Sequence, residues 1–413
     1  MAVKNNTPYT PQSEIERAIS SCWPELKFRL GEQLGHGGMS DVYKLAVGGR
    51  IEAVKVTNSS CGEIAEQRED LCCRGYNELA YAKKMAKAGC GVKVFDTAEF
   101  ALSDSDSSRR LYLIRMECLQ SLPKYLEKIQ ESERTVTVLA ALESTAKNIQ
   151  KMEEEKTLHR DIKEENILVK TNVASLEFVM TDFGLARPNY LESKIDNFST
   201  SGTGSYRAPE LLEGREIVGN KSDVYSLGVS LYSLAIEPRR TRRLNFDPVA
   251  FSHNIDRYTE VADDIKELII ALTKREPKER LSPQEAAAEL HKVRLAHDKV
   301  LYATEVKKAL YTLRSGSDAR ALVDALPKGA AAALLAAAAA LRHNDQEAAR
   351  KALAQSIHPA CYYYLAALVE QRQREALLER AARAGFAPAR AALLGKRLPE
   401  ATRVAELKVA MQL

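Results

Sequence analysis

The sequence predicts a two-lobed α+β unit followed by an all-α unit of helical hairpins. Three features predict it. Short β-type runs broken by glycine occupy the stretch up to Met116, helical spacing takes over after Ser121, and near residue 303 the composition turns to alanine. Strands gathered first and helices second is the order of an α+β arrangement. At 413 residues the chain exceeds what one ordinary core accommodates, so two or three domains are expected.

Composition narrows the class. Hydrophobic residues make up 45% and charged residues 28%, a globular balance that argues against long disorder and fibrous repeats. A net charge of +4 is too weak to point to a nucleic-acid partner. Residues 304–413 hold 17 Lys/Arg against 10 Asp/Glu, which is either a solvated helical face or a surface for an acidic partner. The seven cysteines include no Cys-x-x-Cys pair. No disulfide or metal framework is legible from them, and reduced thiols in a cytoplasmic setting are expected. Residues 1–14 are polar with two prolines, unlike a signal peptide. The longest apolar run, Ala330 to Leu341, has twelve residues. That is short of the ~20 that span a bilayer, so no membrane span is expected.

In chain order, residues 1–24 read as a loose leader ending at Trp23-Pro24. The two-lobed unit is placed at residues 25–300, with an upper lobe of about 25–118 and a lower lobe of about 119–300. Phe28 to Leu30, Val42 to Leu45 and Ile51 to Val56 are strand-like runs between glycines. Residues 62–88 are charged with helical spacing, and Leu79 and Met85 supply an apolar side. Val92 to Phe95 and Leu111 to Met116 predict two more strands, and helices are expected at 135–153, 221–236 and 262–273. In the all-α unit, 304–413, the segments starting at Leu341 and Val369 look alike at a spacing of 28 residues. Helical-hairpin repeats of a tetratricopeptide-like kind would give that period, and a plain helical bundle fits the composition as well.

The chemistry begins at residues 34–43, LGHGGMSDVY. Glycines such as Gly35, Gly37 and Gly38 let a backbone approach phosphate oxygens closely and offer N–H donors. A glycine-rich hairpin can also be only a turn, but this one lies between two strand-like runs. Lys55 follows inside the apolar run Ala53 to Val56. A lysine there is costly to bury without an anion. In isolation an edge lysine facing water would be the default, whereas a polyphosphate and a carboxylate are the natural buried partners. Glu78 can supply the carboxylate, backed by Leu79, Ala82 and Met85, with Glu69 the competing choice. The densest signal is His159-Arg160-Asp161-Ile162-Lys163-Glu164-Glu165-Asn166, then the apolar run Ile167 to Val169, then Thr181-Asp182-Phe183-Gly184. Phosphoryl transfer needs a carboxylate near the nucleophilic hydroxyl, oxygen ligands for Mg²⁺, and a cation against developing charge. Asp161, Asn166, Asp182 and Lys163 are the residue types for those tasks.

Together with Ala208-Pro209-Glu210, Asp223 and Arg280, these motifs stand in the order of one family. Residues 28–295 resemble a eukaryotic-type protein kinase domain. The resemblance implies a protein kinase fold, with an antiparallel sheet and one helix in the upper lobe and a helical lower lobe. It implies ATP between the lobes, its adenine along a hinge at Glu117 to Leu119 with Met116 at the back. Gly35, Gly37, Gly38, Ser40, Val42 and Ala53 would line that site, Ser40 standing where the family usually has a third glycine. Lys55, held by Glu78, would grip the phosphates, and Asn166 and Asp182 would hold Mg²⁺. Asp161 would orient the acceptor hydroxyl and take its proton, and Lys163 would stabilise the transferring group. Asp223 would anchor the catalytic loop, and Arg280 would pair with Glu210. Lys163, two residues after Asp161, and Gly202 to Tyr206 resemble serine/threonine kinases, so protein substrates are the implied partners.

Ser193, Ser199, Thr200, Ser201, Thr203 and Ser205 make the stretch between Asp182 and Glu210 rich in hydroxyls. With Arg160 before the aspartate, autophosphorylation is expected at Ser199, Thr200 or Ser201. In the all-α unit Tyr362-Tyr363-Tyr364 reads as core packing. Arg372, Arg374, Arg380, Arg383, Arg390, Lys396 and Arg397 suggest a docking or self-association surface. The rival reading is a pseudokinase scaffold acting through its helical unit. Its usual mark is loss of the lysine, the catalytic aspartate or the metal aspartate, and Lys55, Asp161 and Asp182 are all present.

Overall fold

The computed structural model describes residues 10–37, 40–60, 74–102, 109–172, 175–189, 204–213, 215, 219–236, 244, 246–315, 317–327, 329–343, 345–356, 358–369, 371–384 and 386–393. In the upper lobe a helix, α1 (Gln12–Cys22), precedes strands β1 (Phe28–His36), β2 (Ser40–Val47) and β3 (Arg50–Ser60). Helix α2 (Arg74–Lys87) and strands β4 (Val94–Ala101) and β5 (Arg109–Glu117) follow. The strands form one antiparallel sheet in the order β1-β2-β3-β5-β4. Val47 pairs with Arg50 across Gly48-Gly49, at φ 53° and 81°. A two-residue hairpin turn of this hand needs both residues at positive φ, which glycine adopts without penalty.

Side chains alternate across this sheet, and the alternation decides what each face does. Val54, Val56, Leu111 and Leu113 lie on one face and join Leu30 and Leu45 under α1. Ala53, Lys55 and Thr57 take the other face, where α2 lies. The described part of the expected loose leader is therefore an ordered helix. Its Ile15, Ala18 and Ile19 recur at i, i+3 and i+4, form one apolar stripe, and are fully buried. Trp23 fastens its end, donating from Nε1 to Asp96 Oδ2 at 2.8 Å, with the Arg115 guanidinium 5.2 Å from the ring centre. The strand predicted from Val92 starts at Val94 instead. The Val92 N–H donates to the carbonyl of Met180, and the Met180 N–H donates to Cys90, so this stretch pairs with the lower lobe.

The lower lobe opens with β6 (Gln120–Ser121), α3 (Leu122–Leu126) and α4 (Glu131–Glu154). Short strands β7 (Thr157–Leu158), β8 (Ile167–Thr171), β9 (Leu176–Met180) and β10 (Arg187–Pro188) come next. Helices α5 (Pro209–Glu213), α6 (Lys221–Ile236), α7 (Pro248–His253), α8 (Asp263–Leu272) and α9 (Pro283–His297) complete it. Strands β6, β8 and β9 form one small sheet, and β7 pairs with β10. These two ladders hold the loops 159–166 and 181–186 by their ends. Helix α6 is buried on every side from Ser222 to Leu234, the pattern of a central core helix. Below it Arg280 and Glu210 form a buried two-bond pair, Nη1 to Oε1 at 2.7 Å and Nη2 to Oε2 at 3.1 Å.

The contacts of the chain divide it between Leu290 and His291, within α9. The second unit holds α10 (Lys299–Arg314), α11 (Arg320–Asp324), α12 (Ala330–Arg342), α13 (Gln346–Ala354), α14 (Pro359–Ala366), α15 (Gln371–Arg383) and α16 (Ala387–Leu393). Asp298 caps α10, accepting from the N–H groups of Val300 and Leu301, and Asp345 caps α13, accepting from the Ala348 N–H. Helix α12 packs on α13, and α14 on α15. Tyr363 and Tyr364 are buried in the core of this unit with Leu334, Leu335, Leu353 and Leu378.

Candidate active site

Sheet register assembles one wall of the cleft between the lobes. Val42 pairs with Lys55, and Ala53 with Met116, so these four share the face opposite α1. The Gly37 N–H donates to the Ser40 carbonyl at 2.8 Å and closes the glycine hairpin, while Gly38 lies outside the described residues. Lys55 is 4% exposed. Its Nζ is paired with Glu78 Oε1 from α2 and lies 3.0 Å from Asp182 Oδ1. Burial alone pulls the Lys55 ammonium down, but the carboxylates of Asp182 and Glu78 outweigh it and its pKa is raised. Glu78 is fixed in turn by the Thr57 hydroxyl, which donates at 2.9 Å. Ala82 and Met85 are buried on the same stripe of α2, with Leu79 partly so; Glu69 lies outside the described residues.

The second cluster grows from the loop between β7 and β8. Asp161 Oδ2 accepts from Lys163 Nζ at 2.9 Å and from Asn166 Nδ2 at 3.0 Å. Asn166 Nδ2 also donates to the Asp161 carbonyl, which leaves the amide oxygen as the atom that can accept a hydrogen bond or ligate a cation. Asp223 of α6 holds the loop by its backbone, accepting from the N–H groups of His159 and Arg160, both at 2.8 Å. Burial pushes the Asp223 carboxyl up, against the pull of His159 and the two N–H groups. The Asp161 N–H donates to His159 Nδ1, so Nε2 carries the ring hydrogen and donates to the Thr181 carbonyl at 3.1 Å.

The two loops are joined directly, the Thr181 N–H donating to the Asn166 carbonyl at 3.0 Å. Arg160 and Asp182 stand in the left-handed region at φ 66° and 64°. Non-glycine residues there cost on the order of 1–3 kcal/mol each and persist only where neighbours fix them. Asp182 and Asn166 together offer two hard oxygen donors. Among the described residues no group of three His, Cys, Asp or Glu side chains is placed to hold a metal alone. That donor set fits Mg²⁺, which takes one or two protein ligands and completes its shell with water and phosphate oxygens.

Other arrangements here were not legible in the sequence. Arg160 is crowded by Arg187 and Arg207; burial first, then those two cations, lower its pKa. Glu164 lies buried in the loop between β7 and β8 and accepts the hydroxyls of Tyr206 and Ser233. Of the serines and threonines between Asp182 and Glu210, only Ser205 is among the described residues, donating to the Leu244 carbonyl at 2.6 Å. In the second unit the expected basic surface is partly engaged. Arg374 donates to the carbonyls of Ala366 and Val369, Arg383 pairs with Glu379, and Arg380 lies over the Tyr362 ring. Lys396 and Arg397 lie outside the described residues, as do the side chains of Arg372 and Arg390.

A family model for the protein kinase domain matches residues 28–291. The chain is similar to the serine/threonine-protein kinase SAPK6 of Oryza sativa subsp. japonica, 32% identical over 136 residues, 31% of this chain and 36% of that protein. It is similar to the abscisic acid-inducible protein kinase of Triticum aestivum, 32% identical over 133 residues, 30% of this chain and 39% of that one. MAP kinase-activated protein kinase 2 of Oryctolagus cuniculus is 26% identical over 285 residues, 63% of this chain and 75% of that protein. The chain thus spans little more than a third of the first two relatives and three quarters of the third.

Proposed function

The chain belongs to the protein kinase family, and from that premise we propose that it transfers the γ-phosphoryl group of ATP to serine and threonine hydroxyls of protein substrates. One observation carries the reading: Lys55 of β3, Glu78 of α2 and Asp182 form one cluster, Asp161, Lys163 and Asn166 form another, and the loops carrying Asp182 and Asn166 are hydrogen-bonded to each other. Lys55 grips the α- and β-phosphates, with Glu78 fixing its position. Gly35, Gly37 and Ser40 of the hairpin cover the phosphates, Val42 and Ala53 wall the adenine, and Glu117 to Leu119 present backbone groups to its edge. Asp182 and Asn166 hold Mg²⁺, which when bound screens the charge on the phosphate oxygens. Asp161 orients the acceptor hydroxyl and takes its proton as the oxygen bonds to phosphorus and the bond to the β-phosphate oxygen breaks. Lys163 offsets the charge on the transferring group. Positioning and electrostatics account for most of the acceleration.

The preference for serine and threonine rests on Lys163 and on the likeness to the serine/threonine-protein kinase SAPK6. Autophosphorylation at Ser199, Thr200 or Ser201 is supported by the crowding of Arg160, Arg187 and Arg207, three guanidinium groups for which a phosphate dianion is a fitting counter-ion. The scaffold reading is disfavoured because Lys55, Asp161 and Asp182 are all in place. Incubation with radiolabelled ATP and Mg²⁺ tests the proposal, with an Asp161→Asn variant beside the wild type. Label on the protein or on an added acceptor is expected in the wild type alone. Nucleotide binding without transfer in either protein would leave the scaffold. Mass spectrometry of active protein with residues 193–203 unmodified would remove the autophosphorylation step.

A further inference from the structure

Glu164 is an uneconomical residue to bury unless something holds it. It opens the short 3-10 turn Glu164–Asn166, three residues after Asp161, and is 5% exposed. A carboxylate taken out of water needs strong hydrogen bonds to remain charged. Oε1 of Glu164 accepts the Tyr206 hydroxyl at 2.8 Å and the Ser233 hydroxyl at 2.6 Å. Tyr206 and Ser233 are themselves buried. Three parts of the chain therefore meet on one oxygen: the catalytic loop, the turn Gly204–Tyr206 ahead of Ala208-Pro209-Glu210, and α6.

Tyr206 is gripped at both ends. Its carbonyl accepts the Ser226 hydroxyl of α6 at 2.8 Å, while its phenol reaches the catalytic loop. Bonds from a hydroxyl to a carboxylate are charge-assisted and short, and in a buried setting they stiffen what they join. The turn holding Tyr206 thus takes its place from the same loop that carries Asp161.

We infer that Glu164 is a positioning residue for the protein acceptor: through Tyr206 it sets the segment before Ala208-Pro209-Glu210 against the Asp161 carboxylate. The inference rests on the kinase reading above, in which that segment forms the ledge for the acceptor. Small displacements of a bound reactant cost rate steeply, so loosening this link acts on acceptor turnover.

The test uses the full chain, with myelin basic protein as acceptor. Variants Glu164→Ala, Glu164→Gln, Tyr206→Phe and Ser233→Ala are compared with the wild type in kcat and KM for the acceptor, in affinity for a fluorescent ATP analogue, and in melting temperature. Glu164→Ala and Tyr206→Phe each lower kcat/KM for the acceptor on the order of tenfold, with nucleotide affinity held. The double variant is no worse than either single, and Glu164→Gln, whose amide oxygen still accepts both hydroxyls, retains most of the activity. Additive losses, or lower melting temperature and nucleotide affinity with acceptor kinetics unchanged, would make the node merely structural and overturn the inference. A wild type that binds nucleotide but labels nothing overturns the kinase reading and this inference with it.

Discussion

Lys55 is a buried cation whose environment keeps it charged, because two carboxylates outweigh the desolvation that would otherwise neutralise it. Replacing it with methionine leaves Glu78 and Asp182 facing each other without a cation, so nucleotide affinity and transfer both fall. Asp161→Asn behaves differently. It keeps the shape of the site and removes the proposed base, and a positioned base contributes roughly 10²–10⁴-fold, so kcat drops by about that factor with nucleotide affinity intact. Single-turnover transfer beside equilibrium nucleotide titration separates the two cases. Asp223 gives a pH signature. Its carboxyl is raised by burial above the ordinary 3.8, so the folded state holds that proton more tightly than the unfolded one. The stability this contributes is complete below about 3.8 and lost as pH rises through the folded value. Melting temperature against pH should therefore climb more steeply through that window in Asp223→Asn than in the wild type; parallel curves would refute the assignment. The residues legible in the sequence are those packed into short motifs, Asp161 to Asn166 and Asp182 to Gly184. Glu164 with Tyr206 and Ser233, 42 and 69 positions away, was not legible, because no local pattern reports which hydroxyls a fold brings to a carboxylate.

At the scale of elements, strand alternation does most of the work of building the cleft. The same run that buries Val54 and Val56 under α1 turns Lys55 to α2, so core and site are written on opposite faces of one strand. This period was readable in Ile51 to Val56. Helix α1 is not legible in the same way, because its apolar stripe is only Ile15, Ala18 and Ile19 and prolines stand near. Ile19→Ala removes a fully buried side chain from that seam and should cost about 2–5 kcal/mol, read as a lower denaturation midpoint. An unchanged midpoint would mean that α1 only rests on the sheet. The link between α5 and the 3-10 turn before Arg280 makes a contrasting case. Arg280→Ala strands the Glu210 carboxylate in the core and should cost about 3–5 kcal/mol. Replacing both partners with apolar residues of similar volume should recover most of that loss, since the penalty lies in the unpaired charge.

On the scale of the whole molecule, two clusters of buried residues among those described share no member. One lies under α1 in the upper lobe, and the other is built from Leu295 onward, rich in alanine and including Tyr363 and Tyr364. The change of composition near residue 303 announced this, while the place of the division inside α9 was hidden, since a helix running on leaves no break in the hydrophobic pattern. Separate cores predict separate melting transitions in the intact chain. Only the unit that binds nucleotide gains stability from it, by about 2.7 kcal/mol at a hundred times Kd, so scanning calorimetry with ATP and Mg²⁺ should raise one transition and leave the other. Leu334→Ala, deep in the alanine-rich core, should do the converse. It lowers the second transition by about 2–5 kcal/mol and leaves the nucleotide-dependent shift of the first in place. If a single transition moves as a whole under both treatments, the two cores unfold as one cooperative body. The helical unit would then act on the kinase through stability rather than as an independent module.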